Sequence, residues 1–323
     1  MVDRKAELAS ELPLVSVIIP VYGGEKYIHE CISSVLGQTY KNIECILVDG
    51  TSPDKCPQIC DEYAASDKRV KVLHKKDRGL SDDRNAGYRL SAGEYITFVD
   101  VDDVLSPDMI QTLYKLCVKY KVRLAQCNHT VKRVELDVVR NEQIYGILLK
   151  KERCMTELLG NHCIAFCVTW GKLMHKSLME KILFPCGAMH EDVYTSHLFF
   201  EAAENMVYTT KRLYYYRQRE DSLMAQIRRG PDLSKLTANL SRAEYFCSHK
   251  YYDALEKQVN VCLEMIRKNY CEYHNDWTAE QKKYMLSEYR KLIKKLITVC
   301  RKSIPAKVIL FGLSPNAYYF IVK

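Results

Sequence analysis

The 323-residue sequence contains no uninterrupted apolar run of the ~18 residues that a membrane-spanning helix requires. Met1 to Glu11 mixes charges of both signs and has no apolar segment of the kind a secretory leader carries, so a cytoplasmic protein is expected. Glycine and proline number only 13 and 9, which excludes collagen-like and low-complexity architectures. None of the 14 cysteines forms a CxxC pair, and Cys56/Cys60 and Cys163/Cys167 have a spacing that suits neither a zinc knuckle nor a redox motif. Cys45, Cys117, Cys127 and Cys167 sit inside apolar runs, as buried free thiols do in a reducing compartment. There is neither a GxGxxG nor a GxxxxGK[ST] sequence, so a dinucleotide fingerprint and a P-loop are both set aside.

What is present is a globular composition, 47% hydrophobic and 27% charged, with a formal net charge of +8. The charge is uneven. Residues 201–323 carry 22 Lys+Arg against 13 Asp+Glu, whereas the first 200 carry 26 against 27. The whole basic excess therefore lies in the last part of the chain.

Strand-like and helix-like patterns alternate over the first ~120 residues, the pattern of a parallel sheet wrapped by helices. Strands are expected at Leu14–Pro20, Ile43–Val48, Arg69–His74 and Glu94–Val99, and helices at Glu25–Gln38, Lys55–Ala65, Leu80–Leu90 and Ser106–Tyr120. Ser106 reads as the N-cap of the last of these, with Pro107 at its first position. Beyond it a strand is expected at Arg123–His129, a helix at Glu191–Ala203, a strand or hairpin at Met206–Arg217, and mainly helix from Leu233 onward. No internal repeat and no linker rich in Pro, Gly or Ser is visible, so one continuous body is expected.

Open parallel sheets bind ligands at the carboxyl ends of their strands. The residues just past the first four expected strands are Pro20-Val21-Tyr22, Asp49-Gly50-Thr51-Ser52, Asp77-Arg78-Gly79 (with Arg84 and Asn85 following) and Asp100-Val101-Asp102-Asp103. Three carboxylates within four residues repel one another unless a cation sits among them, and hard oxygen donors favour Mg²⁺ or Mn²⁺ shared with substrate phosphates. The same acidic run also reads as a turn ahead of the next helix, with no ligand at all.

These landmarks resemble those of family-2 inverting glycosyltransferases with the GT-A fold, of the bacterial cell-surface polysaccharide type. The similarity runs from Pro13 to Met224 as VSVIIPVYGGEKYIHECISSVLGQTY (15–40), LVDGTSPD (47–54), DRGLSDDRNAG (77–87), GEYITFVDVDD (93–103), WGKLMHK (170–176), HEDVY (190–194) and YYYRQREDSLM (214–224). It implies an α/β fold, a Rossmann-like α/β/α sandwich with a mostly parallel sheet. The expected division is an N-terminal extension (1–12), a GT-A domain (13–230) with a nucleotide-sugar half (13–120) and an acceptor half (121–230), and a helical basic C-terminal region (231–323). The implied activity is metal-dependent, inverting transfer of one sugar of hexose type. The donor would be a nucleotide-sugar, by resemblance a UDP-sugar, and the acceptor a saccharide or a lipid-linked one.

By the same resemblance Pro20, Tyr22 and Glu25 line the nucleotide pocket, Asp49 faces the base and Arg84 approaches the base or phosphates. Asp100 contacts ribose or donor sugar, and Asp102 binds Mn²⁺ or Mg²⁺ bridging the diphosphate. Asp192 is the catalytic base with Glu191 as its neighbour and substitute, and Arg217 and Arg219 stand near the leaving diphosphate. Two departures are visible. The family's second acid after strand two, in relatives an acceptor for uracil N3–H, is Gly50 here, and the usual small residues of the third motif are Asp82 and Asp83. Processive members carry a QxxRW motif and spanning helices, and this chain has neither. A non-catalytic nucleotide-sugar-binding or scaffold subunit is the alternative reading, and Gly50 is its support.

Without the resemblance, Glu191 and Asp192 read as carboxylates at a helix N-terminus, favoured by the dipole. Trp170 and Tyr214–Tyr216 read as packing residues. Residues 281–302 hold eight Lys/Arg and one Glu, with Leu286, Tyr289, Ile293, Leu296 and Cys300 at helical spacing. This basic amphipathic helix can lie on the inner face of the plasma membrane as a peripheral contact, or pack on the protein body with its basic side in water. No nucleic-acid motif accompanies it.

Overall fold

The computed structural model describes residues 12–139, 144–161, 163–219, 233–273, 275–302, 306–315 and 318. The chain forms two compact units that interleave in sequence. The first comprises Met1–Lys151, Cys167–Ala188 and Leu198–Arg217; the second comprises Glu152–Phe166, Met189–His197 and Gln218–Lys323. Segments 152–166 and 189–197 thus group with the C-terminal helices. Hydrophobic patterning marks which face of an element is buried but not which unit buries it.

The first unit is built on a sheet with nine strands among the described residues. Strands β1 (Val15–Val21), β2 (Ile43–Asp49), β3 (Val70–His74), β4 (Tyr95–Phe98), β5 (Val104–Leu105), β6 (Leu124–Thr130), β7 (Ile147–Lys150), β8 (Lys172–His175) and β9 (Asn205–Tyr215) run β3-β2-β1-β4-β8-β6-β9-β5, with β7 paired to β9. Every residue of β1 and β2 is buried, as the unbroken apolar runs of two-sided parallel strands require. Their pairing is parallel, Val15 opposite Ile43 through Val21 opposite Asp49. Helices α1 (Ile28–Leu36), α2 (Cys56–Ser66), α3 (Leu80–Leu90) and α4 (Met109–Tyr120) connect or follow these strands. The 3.6-residue spacing of α1 buries Ile28, Cys31, Ile32 and Val35, which join a core with Val15, Val17, Leu47, Met109 and Leu113. Trp170 stacks on Tyr214 at 4.3 Å between ring centroids and on Tyr216 at 5.3 Å, so these aromatics pack together as their sequence context suggests.

The parallel order holds only over β3-β2-β1-β4. Past β4 the sheet is mixed: β4–β8, β6–β8, β5–β9 and β7–β9 are antiparallel and β6–β9 is parallel. Strands β5, β7 and β8 have two to four residues, too short to show a period. Helix α4 starts at Met109 rather than after Ser106, whose hydroxyl donates to the Asp137 carbonyl at 2.6 Å and so caps no helix.

Helices α5 (Lys151–Glu157) and α6 (Cys163–Cys167) precede α7 (Glu191–Ala203), and the division between units falls inside α7, after His197. The second unit's C-terminal helices are α8 (Leu233–Ser248), α9 (Tyr252–Glu272), α10 (Ala279–Thr298) and α11 (Ala306–Leu313). Helix α10 opens with a capping box in which Thr278 and Gln281 bond reciprocally. Its apolar face is covered within the unit. Met285, Tyr289, Leu292 and Leu296 are buried, the Tyr289 ring lies 4.7 Å from that of Phe311, and Arg290 Nε donates to the Gly312 carbonyl. Of the two readings of this helix, the packed one holds for the apolar face. Lys283, Arg290, Lys291 and Lys294 remain exposed. No helix among the described residues is long and apolar enough to cross a membrane. Residues 1–11, His162, the motif 214–224 from residue 220 on, and most of the tail 317–322 lie outside the described residues.

Candidate active site

The chain leaves β1 for β2 on one side and returns through β3 to β4 on the other, so the topological switch lies between β1 and β4. Their pairing ends at Ile18 opposite Phe98, before Pro20, which has no N–H with which to continue the ladder. The strand ends therefore separate where the acidic residues stand. A Cβ at Gly24 would lie 2.8 Å from both Cγ atoms of Val101, so only glycine lets the loop after β1 approach the loop after β4 this closely.

Pro20 is buried within β1, and Tyr22 projects from its end with 55% of its surface exposed. Glu25 closes the start of α2: its carboxylate accepts from the Lys55 N–H at 3.2 Å, while its own N–H donates to Asp54 at 2.9 Å. Asp49, which the resemblance turned toward the base, has both carboxylate oxygens engaged within the protein. Oδ1 accepts from the Ser52 N–H at 3.0 Å, and Oδ2 lies 2.9 Å from His74 Nδ1. The other ring nitrogen of His74 lies 3.1 Å from Asp61, and the bonds to Asp49 and then Asp61 raise the His74 pKa above its ordinary value. Next to Asp49, Thr51 holds a positive φ of 60°, a conformation that strains a β-branched residue by roughly 1–3 kcal/mol. Its hydroxyl donates to the Lys75 carbonyl at 2.7 Å and pins it there.

Arg84 is 2% exposed, its guanidinium donates to Asp100 Oδ1 at 3.0 Å, and it lies 5.6 Å from the centre of the Phe184 ring. The Asp100 N–H donates to the Tyr214 hydroxyl. The acids of the Asp100–Asp103 run thus divide their work. Asp103 is fully buried and accepts from the Tyr214 hydroxyl at 2.7 Å and the Arg217 N–H at 2.8 Å. Burial first, and then the charges of Asp100 and Asp102, push its pKa well up. Asp102 stays partly exposed, and its carbonyl accepts from Arg217 Nε at 2.8 Å. Arg217 also pairs with Glu30, which Arg133 reaches as well, and its guanidinium lies over the rings of Tyr27 at 4.9 Å and Tyr215 at 5.1 Å. The arginine is thereby held beside the Asp102 loop.

Among the described residues no group of three His, Cys, Asp or Glu side chains could hold a metal ion by itself. The donor set fits a divalent ion shared between one carboxylate, Asp102, and phosphate oxygens, the ordinary way in which Mg²⁺ is held with its substrate.

In the second unit, His190 with φ 61° precedes α7, Glu191 is buried and Asp192 is partly exposed at the first turn. Asp192 Oδ1 accepts from the Val193 N–H at 2.7 Å. Arg219 is half-buried in the same unit. The first unit therefore carries Pro20, Tyr22, Glu25, Asp49, Arg84, Asp100, Asp102 and Arg217, and the second carries Glu191, Asp192 and Arg219. Sequence reasoning missed His74, Glu30 and the clamp on Asp103. His74 ends β3 and was open to the same strand-end rule, whereas Glu30 and Asp103 find their partners only through folding.

Sheet order and strand-end residues together define an α/β fold of the GT-A type. The profile of Glycosyl transferase family 2 matches residues 16–183, and the chain belongs to that family. Glycosyltransferase GlyG of Streptococcus pneumoniae is 33% identical over 233 residues, 65% of this chain and 73% of its own length. Glycosyltransferase GlyA of the same organism is 35% identical over 217 residues, 65% of this chain but only 31% of GlyA, so the chain spans less than a third of that relative. The crystal structure of residues 1–349 of S. aureus TarS, in complex with UDP-GlcNAc, shares the fold with a TM-score of 0.66 at 17% identity, covering 95% of this chain and 88% of that one.

Proposed function

We propose that the protein transfers a single sugar, with inversion, from a UDP-sugar to a saccharide or lipid-linked acceptor in cell-surface polysaccharide synthesis. The observation that carries this reading is the division of labour after β4: Asp103 buried as a structural acid, Asp100 held by Arg84, and Asp102 partly exposed in the loop that Arg217 grips. Family membership and the UDP-GlcNAc complex of TarS support the donor class.

In this reaction the acceptor oxygen forms a bond to the anomeric carbon as the bond from that carbon to the diphosphate oxygen breaks on the opposite face. The acceptor proton passes to a carboxylate, which we assign to Asp192 with Glu191 as its neighbour. Asp192 is proposed from its place in the HEDVY motif. Asp102 would hold a Mn²⁺ or Mg²⁺ ion, which would supply positive charge at the departing diphosphate. Arg217, fixed over Tyr27 and Tyr215, adds charge to that end of the site, with Arg219 as a second candidate. Pro20 and Tyr22 form the pocket wall, Asp49 and Glu25 hold its loops, and the Arg84–Asp100 pair sets the ribose end. We further assign a peripheral contact with an anionic leaflet to the exposed basic side of α10.

A panel of nucleotide-sugars with Mn²⁺ or Mg²⁺, read by thermal shift and donor hydrolysis, tests the proposal. Stabilisation by a UDP-sugar with metal, and slow hydrolysis of it, is expected. Binding without turnover for any donor and acceptor would favour the alternative, a non-catalytic scaffold subunit.

A further inference from the structure

Gly50 stands at the end of β2, where its N–H donates to the Val21 carbonyl of β1 at 3.1 Å. Its backbone is not in the left-handed region, so a side chain here meets no conformational barrier. What a side chain would meet is acid. A Cβ at Gly50 would lie 3.3 Å from Asp83 Oδ2 and 3.6 Å from Asp77 Oδ1. Asp83, on α3, is 3% exposed. Its Oδ1 is taken by the Lys75 ammonium at 2.8 Å, and the same ammonium pairs with Asp82 at 2.6 Å and donates to the Lys76 carbonyl. Its Oδ2 accepts no hydrogen bond among the described residues and lies beside Gly50. An acceptor oxygen with no protein donor takes its hydrogen bond from water or from a ligand.

Two carboxylates cannot share this volume without strong mutual repulsion. An acid at position 50 and an acid at position 83 are therefore alternatives for one space, and this chain carries the second.

We propose that Asp83 recognises the donor's base: its Oδ2 accepts the N3–H of a uracil at the end of β2, in place of the acid absent at position 50. This inference rests on the nucleotide-sugar reading above. One available acceptor matches the single ring N–H of uracil. Guanine offers two adjacent donors and calls for two acceptors, and cytosine would turn its N3 lone pair toward the carboxylate. Lys75 is saturated by its own bonds and acts by holding Asp83 in place.

The test measures calorimetric binding of UDP, N3-methyl-UDP, CDP and GDP, with Mg²⁺, to the full chain. The variants are Asp83→Ala, Gly50→Asp/Asp83→Ala and Asp82→Ala, each with its melting temperature. The wild type is expected to bind UDP about tenfold to hundredfold more tightly than N3-methyl-UDP, the range for one hydrogen bond to a charged acceptor. Asp83→Ala should bind both alike and weakly. The double variant should regain the preference, which a variant that merely misfolds does not do. Asp82→Ala, which also loosens Lys75, should keep it. An Asp83→Ala protein that still discriminates against the methylated base overturns the assignment and leaves the donor reading intact. So does a wild type that prefers GDP or CDP. A wild type that binds no nucleotide at all overturns both.

Discussion

The guanidinium of Arg84 donates to Oδ1 of Asp100 at 3.0 Å and thereby joins the helix after β3 to the loop after β4. Arg84 is almost wholly buried, whereas the Asp100 side chain is 28% exposed. Breaking a fully buried pair costs about 3–5 kcal/mol; since Asp100 reaches water, Arg84→Ala is expected to cost about 2–4 kcal/mol in urea denaturation. Arg84→Lys should not recover the loss, because an ammonium reproduces neither the planar fork nor the contact with Phe184.

His74 makes stability depend on pH. Its raised pKa means that the folded state binds more protons than the unfolded state around neutrality. The stabilisation from Asp49 and Asp61 is fully present below the ordinary histidine value and is lost as pH rises through the raised one. Denaturation midpoints measured across this window should fall with pH in the wild type and flatten in His74→Gln. A wild-type midpoint that does not move there would show that the pairing contributes nothing.

Asp102 and Asp192 should separate binding from chemistry. Asp102→Ala is expected to abolish metal-dependent donor binding, while Asp103 keeps its bonds to Tyr214 and Arg217. Asp192→Asn should leave donor affinity unchanged and reduce transfer by about 10²–10⁴-fold, the usual contribution of a general base. Near-normal transfer by Asp192→Asn would sink the base assignment.

Because most of the apolar face of α10 is packed inside its unit, the lipid contact is expected to be mainly electrostatic. Lys283→Glu and Lys294→Glu should each weaken binding to anionic vesicles by at least about fivefold, near 1 kcal/mol per charge, and high salt should abolish binding by the wild type. Sedimentation with vesicles gives the answer, and melting curves should be unchanged.

The early part of the fold was legible because its determinants are local. Helix α3 spans Leu80–Leu90 as its pattern indicates, and β1 and β2 fall within a residue or so of their apolar runs. The later strands were not legible. β7 exposes Ile147 and Leu148, so it shows neither a buried run nor an alternation, and β5 has two residues. The site was legible as a set of strand ends, since a parallel sheet delivers those residues to one edge whatever the remaining details.

The sequence by itself determined the family, the strand-end residues and the surplus of positive charge beyond residue 200. Tertiary structure decided which acid does what. Asp103 is removed from chemistry by Tyr214 and Arg217, partners more than a hundred residues away. Asp83 is turned toward Gly50 by the packing of α3 against the end of β2. The apolar side of the basic helix is buried within its own unit. A carboxylate's role follows from its burial and from the donors that reach it, and both are properties of distant chain segments brought together, which no local pattern encodes.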